Sequence, residues 1–140
     1  MQNKDKVVSL LPKTLKNHLP RDIAVISVGP KESQKLNSIY RGKDKVTNVL
    51  SIRYDAEYGE IILCPSVIRI EAKAHGNPID YQFAWMVVHG MIHLAGIHHE
   101  VSEGAQKRVD RLEKQVLTKF FGKSKFKRQK AKVQLKRKKV

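Results

Sequence analysis

The stretch from Tyr81 to about Ala95, YQFAWMVVHGMIHLA, constrains this chain most, because as a helix it is apolar almost all the way round. Phe83, Ala84, Trp85, Met86, Val87, Val88, Met91, Ile92 and Leu94 leave it almost no polar face. Such a helix is stable only in the middle of a domain, so the rest of the chain has to wrap around it. Beyond Gln82 at its start, only His89 and His93 break the pattern. They are four residues apart, project from one helix face about a turn apart, and can bring both imidazoles to one ion.

Gly96 follows three residues after His93, and His99 three residues after that. A glycine there can take the left-handed conformation that stops a helix and folds the chain back toward the same ion. The spacing H-x₃-H-x₂-G-x₂-H is that of the long zinc motif of the metzincins. A single histidine on an apolar helix is more often a hydrogen-bonded core residue. Two at this spacing, with a turn glycine and a third at the right offset, point to a metal. His98 competes with His99 for the third place, and the offset from Gly96 favours His99. His18 and His75, far from the cluster in sequence, read as surface residues. Three neutral imidazoles leave a fourth position for water or substrate, the arrangement of a catalytic zinc rather than a structural one. Nickel or another divalent ion is compatible with the same donors. The peptidase motif carries Glu after its first histidine as general base, and this chain has Gly90.

The other elements are read around that helix. IAVISV before Gly29-Pro30 predicts a strand. Pro30 to Arg41 predicts a helix with Leu36, Ile39 and Tyr40 on one face, stopped by Gly42. VTNVLSIRY and GEIILC predict a hairpin around DAEY. Pro65 opens a helix with Val67, Ile70 and Ala74 in one stripe, closed by Gly76. Asp80 is a candidate cap for the central helix. Ser102 is a candidate cap for a last helix whose Ala105, Val109, Leu112, Val116 and Phe120 share a face, ended by Gly122. Mixed strands and helices make the fold class α+β, in one domain over residues 1–121.

Charge divides the chain. Of 28 Lys+Arg, ten lie in the last nineteen residues, GKSKFKRQKAKVQLKRKKV, which hold no acid; the net charge is +15, and residues 1–121 carry 18 − 13 = +5. A tail like this over 122–140 is often only a solubilising segment, but it attracts polyanions, of which RNA is abundant in the cytosol. The N-terminus lacks the apolar region of a secretory signal, and no apolar run is long enough for a membrane span. Cys64 is the only cysteine, so no internal disulfide is possible. It reads as an inert buried side chain in a protein of a reducing compartment, the cytoplasm.

HGMIHLAGIHHE resembles the signature H-G-x-L-H-L-x-G-Y-D-H of the YbeY family, bacterial zinc-dependent endoribonucleases of ribosomal RNA maturation. LNSIYRGKDKVTNVLSI, Leu36 to Ile52, is similar to the family's other hallmark and puts Arg41 at its functionally important arginine. GEIILC at 59–64 resembles the family strand G-D-I-x-I-x. The resemblance covers about residues 23–117. It implies a mostly four-stranded sheet packed with helices, and a zinc site on the central helix. It also implies one Zn²⁺ per chain on His89, His93 and His99, with Arg41 as the basic residue of the cleft. The implied activity is single-strand-specific cleavage of precursor rRNA, in small-subunit 3′-end processing and ribosome quality control, with the small ribosomal subunit or its proteins as partners. Ile97-His98 stands where the family has Tyr-Asp, which removes a carboxylate able to orient a ligand. Val46 stands where many members have proline. Read without the resemblance, Arg41 is a helix-terminal arginine facing solvent or pairing with Asp44. A zinc hydrolase of another substrate and a non-catalytic, zinc-stabilised assembly factor binding rRNA are the competing functions.

Overall fold

The computed structural model describes residues 3–97 and 102–122. Two helices, α1 (Asn3–Leu10) and α2 (Lys13–Lys16), precede β1 (Asp22–Ser27), α3 (Pro30–Arg41), β2 (Val49–Arg53), β3 (Tyr58–Leu63), α4 (Pro65–His75), α5 (Ile79–Leu94) and α6 (Glu103–Phe121). This is the α+β domain that the sequence predicts. The sheet is smaller than the resemblance implied: among the described residues it has three strands rather than four, in the order β1-β3-β2. The segment ahead of β1 adds none. It folds instead as α1 and α2, which bury Val7 and Leu15, with Leu11 buried at the join between them.

β2 and β3 form the expected antiparallel hairpin, running from Val49 opposite Leu63 to Arg53 opposite Gly59. Asp55 closes it, its Oδ1 accepting from the backbone N–H of Glu57 at 2.8 Å and Tyr58 at 2.9 Å. β1 lies parallel to β3 on the other side. Alternation along the strands sends Val49, Ile61 and Leu63 into the main core with α5, while Leu50, Ile52 and Ile62 pack with Val28 and Leu36. α5 is the buried centre. Val87, Val88, Met91 and Ile92 are all at 0% exposure, each contributing about 1.5–3 kcal/mol by leaving water. No described helix is long and apolar enough to cross a membrane.

Caps and stops sit largely where the sequence places them. Gly42 and Gly76 take left-handed φ of 69° and 70° after α3 and α4. Ser102 caps α6, its hydroxyl accepting from Ala105 N–H at 3.0 Å. Asp80 is not the cap of α5: Pro78 holds that place, and Asp80 Oδ1 accepts from Tyr81 N–H inside the first turn.

Two predicted stripes are rotated. In α4, Ile68 and Ala72 are buried and Ile70 is 69% exposed, because the buried Cys64 at the cap sets the phase that Ile68 and Ala72 continue every fourth residue. In α3 the buried residues are Ser33 and Asn37, while Ile39 is 62% exposed. Leu36 packs inward as expected, against Leu50, Ile52 and Ile62, but the part of the face around Ser33 and Asn37 meets loop backbone. Ser33 Oγ donates to Thr47 O (2.9 Å) and accepts from Thr47 N–H (3.0 Å), and Asn37 Nδ2 donates to Lys45 O (2.9 Å). Buried backbone groups need such partners, so a polar stripe is the right one to bury here. The bonds clamp the 43–48 loop onto α3.

Candidate metal centre

α5 carries His89 and His93 on the face left open between the sheet and α3. Their ring centroids are 4.4 Å apart. Both line a cavity of about 510 Å³ whose wall also includes Arg41, Lys43, Lys45, Asn48 and Ser51. Three of the four predicted site residues, Arg41, His89 and His93, are thus brought together across more than forty positions of sequence. His99 and its competitor His98 lie outside the described residues. Gly96 does what the motif requires: at φ 94° it stops α5, with Gly96 N–H donating to His93 O (2.9 Å) and Ile97 N–H to Ile92 O (3.3 Å). Arg53 pins the same helix end, its Nη1 donating to Leu94 O at 2.8 Å and also to His18 O, a favourable place for a cation.

The sequence reading missed Glu113. It is buried at 6% exposure on α6, and both of its oxygens are used. Oε1 accepts from Trp85 Nε1–H at 2.9 Å, and Oε2 lies 2.5 Å from His89 Nδ1. A carboxylate accepts only, so the proton of a neutral His89 sits on Nδ1 and the lone pair on Nε2. A metal-ligating imidazole needs that tautomer. Glu113 therefore gives His89 the kind of carboxylate support that Ile97-His98 withdraws from the motif. A signal was present in sequence: Glu113 lies within the apolar stripe of Val109, Leu112 and Val116, and an acid on a buried face needs a partner. Close by, burial and then the Glu113 carboxylate push the Tyr81 phenol up to about 12. Tyr81 stays protonated at neutral pH.

Gly90 has a packing reason. A Cβ there would sit 2.8 Å from Ile61 Cγ2 and 3.0 Å from Ser51 Oγ, and Ser51 Oγ donates to Gly90 O at 3.1 Å. The position faces the sheet, so a glutamate placed there has no room to act as a base. Forcing a side chain in would cost about 1–3 kcal/mol of overpacking.

The cavity's cations come from one clamped unit. Arg41 ends α3, and Lys43 and Lys45 follow on the loop that Ser33 and Asn37 hold. Asp44 on that loop accepts from Gln34 Nε2 at 2.9 Å. No carboxylate is among the described residues lining the cavity. Its charge suits an anion. Cys64 is buried as predicted, at 1% exposure, and His18 is exposed. His75 is not a plain surface residue: it is half-buried and lines a second cavity that also reaches His89.

Among the described residues no group of three or more His, Cys, Asp or Glu forms a metal cluster. Two imidazoles on one helix turn, one held by a buried carboxylate, nevertheless fit the donor set of a divalent metal.

A family model described as Endoribonuclease YbeY matches residues 2–121. An Endoribonuclease YbeY from Aromatoleum aromaticum is 41% identical over 99 residues, which are 69% of this chain and 64% of that protein. The match thus spans just under two thirds of the relative's length. The solution structure of TM1509 from Thermotoga maritima aligns with a TM-score of 0.56 at 23% identity, covering 85% of this chain and 84% of that one. It supports the fold. A family match that runs through the whole of α1 to α6, with the 41% identical relative beside it, makes this chain a member of the YbeY family.

Proposed function

We propose that this chain is a metal-dependent, single-strand-specific endoribonuclease acting on precursor ribosomal RNA in the cytoplasm, with small-subunit 3′-end maturation and ribosome quality control as its setting. The observation that carries the reading is the cavity in which His89 and His93 face Arg41, Lys43 and Lys45 with no carboxylate among the described lining. The net positive charge of that wall attracts a phosphodiester and gives a neutral amide no such advantage. The family name and the name of the relative agree with it.

Residues 1–121 would form the catalytic domain. His89, His93 and His99 would hold one Zn²⁺ per chain, which when bound supplies Lewis acidity toward a phosphoryl oxygen or water. The chain's own groups do the rest. Arg41 binds and orients the phosphate through the two-pronged donation that suits it. Lys43 and Lys45 raise the local concentration of polyanion. Glu113 holds the His89 proton on Nδ1.

Purified protein should carry close to one zinc per chain, and His89→Ala, His93→Ala or His99→Ala should each abolish it while His98→Ala does not. Metal retained by His99→Ala and lost from His98→Ala would replace the third ligand. The tail over 122–140, rich in Lys and Arg, would gather RNA without taking part in chemistry. Deleting residues 123–140 should weaken RNA affinity and flatten its salt dependence, by about 0.7 in log–log slope for every phosphate of a single strand that the tail would otherwise neutralise. An unchanged slope would remove the tail from the RNA interface. A non-catalytic assembly factor would bind rRNA with the same salt dependence and never turn it over.

A further inference from the structure

A second cavity, of about 300 Å³, adjoins the first, and Asn48 and His89 line both. Their walls have opposite character. The first carries Arg41, Lys43 and Lys45, whereas the described wall of the second has Glu71, Asp110 and Glu113 and no lysine or arginine. Trp85 and Met86 add an aromatic and an apolar surface. Glu113 is spent on Trp85 and His89. The other two carboxylates each use one oxygen internally: Glu71 Oε1 accepts from Asn48 Nδ2 at 2.8 Å, and Asp110 Oδ1 accepts from Gln106 Nε2 at 2.8 Å. Those bonds orient the carboxylates and leave Glu71 Oε2 and Asp110 Oδ2 without a protein hydrogen-bond partner among the described residues.

We propose that this second cavity is a nucleobase subsite, taking a base next to the scissile phosphate and favouring one that presents N–H donors. The proposal rests on the ribonuclease reading. A phosphate carries only acceptors and negative charge, so Glu71 and Asp110 repel it toward the cationic cavity. An unstacked RNA base offers a flat face for Trp85 and an edge for hydrogen bonds, the usual means of reading single-stranded RNA. Guanine places N1–H and the N2 amino group side by side and can meet one carboxylate through both. Cytosine and adenine offer an amino group, the partner a carboxylate takes from a base edge. Uracil flanks its single N–H with two carbonyl oxygens, which a carboxylate disfavours. The chain thus has a cleft polarised about His89, phosphate on one side and base on the other.

Trp85 is the only tryptophan, so protein fluorescence reports this cavity directly. The full chain, without added metal, is titrated with short single-stranded oligoribonucleotides identical except for one position carrying G, U or an abasic site. Saturable quenching should be at least about tenfold tighter for G than for U and absent for the abasic strand. Asp110→Asn combined with Glu71→Gln should abolish the preference for G while thermal melting stays unchanged. The same strands, incubated with metal-loaded protein, separate the subsite from the activity it would serve. Cleavage that proceeds with no base preference, and quenching alike for G, U and abasic strands, would overturn the subsite and leave the ribonuclease standing. No cleavage of any strand would overturn the ribonuclease itself.

Discussion

Arg41→Ala should cut RNA turnover by about 10²-fold or more and leave metal content unchanged. A phosphodiester under attack gathers charge on its non-bridging oxygens, and a fixed cation beside the reacting phosphate lowers that barrier more than it aids ground-state binding. The fold brings Arg41 to the wall of the cavity that holds His89 and His93. It sits one turn beyond Asn37 on α3, and both side chains line the cavity. Gly42 turns the chain immediately after it, and the bonds from Ser33 and Asn37 hold the following loop. Arg41→Lys should recover only part of the rate, because a point charge cannot reproduce the planar fork. Steady-state kinetics on a defined oligoribonucleotide, with metal analysis of each variant, checks this. A raised KM with kcat untouched would make Arg41 a binding residue only.

Glu113→Gln should lower metal affinity by about 10- to 100-fold while the protein still folds. The substitution keeps size and shape, and its amide oxygen can still accept from Trp85 Nε1–H. Its amide nitrogen then faces His89 Nδ1 as a donor. His89 must accept on Nδ1 and carry its proton on Nε2, the nitrogen a metal requires. The defect is one of tautomer, not of packing. Glu113→Asp, which restores an acceptor at a longer reach, should recover affinity in part. Competition titration against a chelating indicator gives the affinities, and thermal melting of the metal-free proteins controls for folding. Equal affinity for Glu113→Gln and the parent would show that the carboxylate is structural.

The parts of this site legible in sequence were those that depend on local geometry. Histidines at i and i+4, a glycine three residues on, and an apolar surface all round fix a buried helix with two imidazoles on one face, whatever surrounds it. The hairpin and the caps at Gly42, Gly76 and Ser102 were legible for the same reason. What stayed hidden depends on which element packs against which. Glu113 lies 24 residues from His89, and only the docking of α6 on α5 makes it a partner. On α3 the expected Leu36 does pack inward, but Ile39 and Tyr40 are exposed, because Ser33 and Asn37 take the buried places against loop backbone. Ile68 and Ala72 were passed over for Val67, Ile70 and Ala74 because the phase of α4 is set by Cys64, one residue before the helix begins. The family resemblance suggested four strands, whereas the described residues form three, and the segment ahead of β1 folds as α1 and α2.

The central claim is that His89 and His93 serve a metal used on RNA. Incubating metal-loaded protein with precursor ribosomal RNA, beside a His93→Ala control prepared in the same way, tests it most directly. Discrete endonucleolytic fragments are expected from the parent chain, with loss of those fragments in His93→Ala or with chelator, and their return when metal is restored to the parent. Intact RNA in every lane, with the parent chain carrying its full complement of metal and binding the RNA, would contradict it.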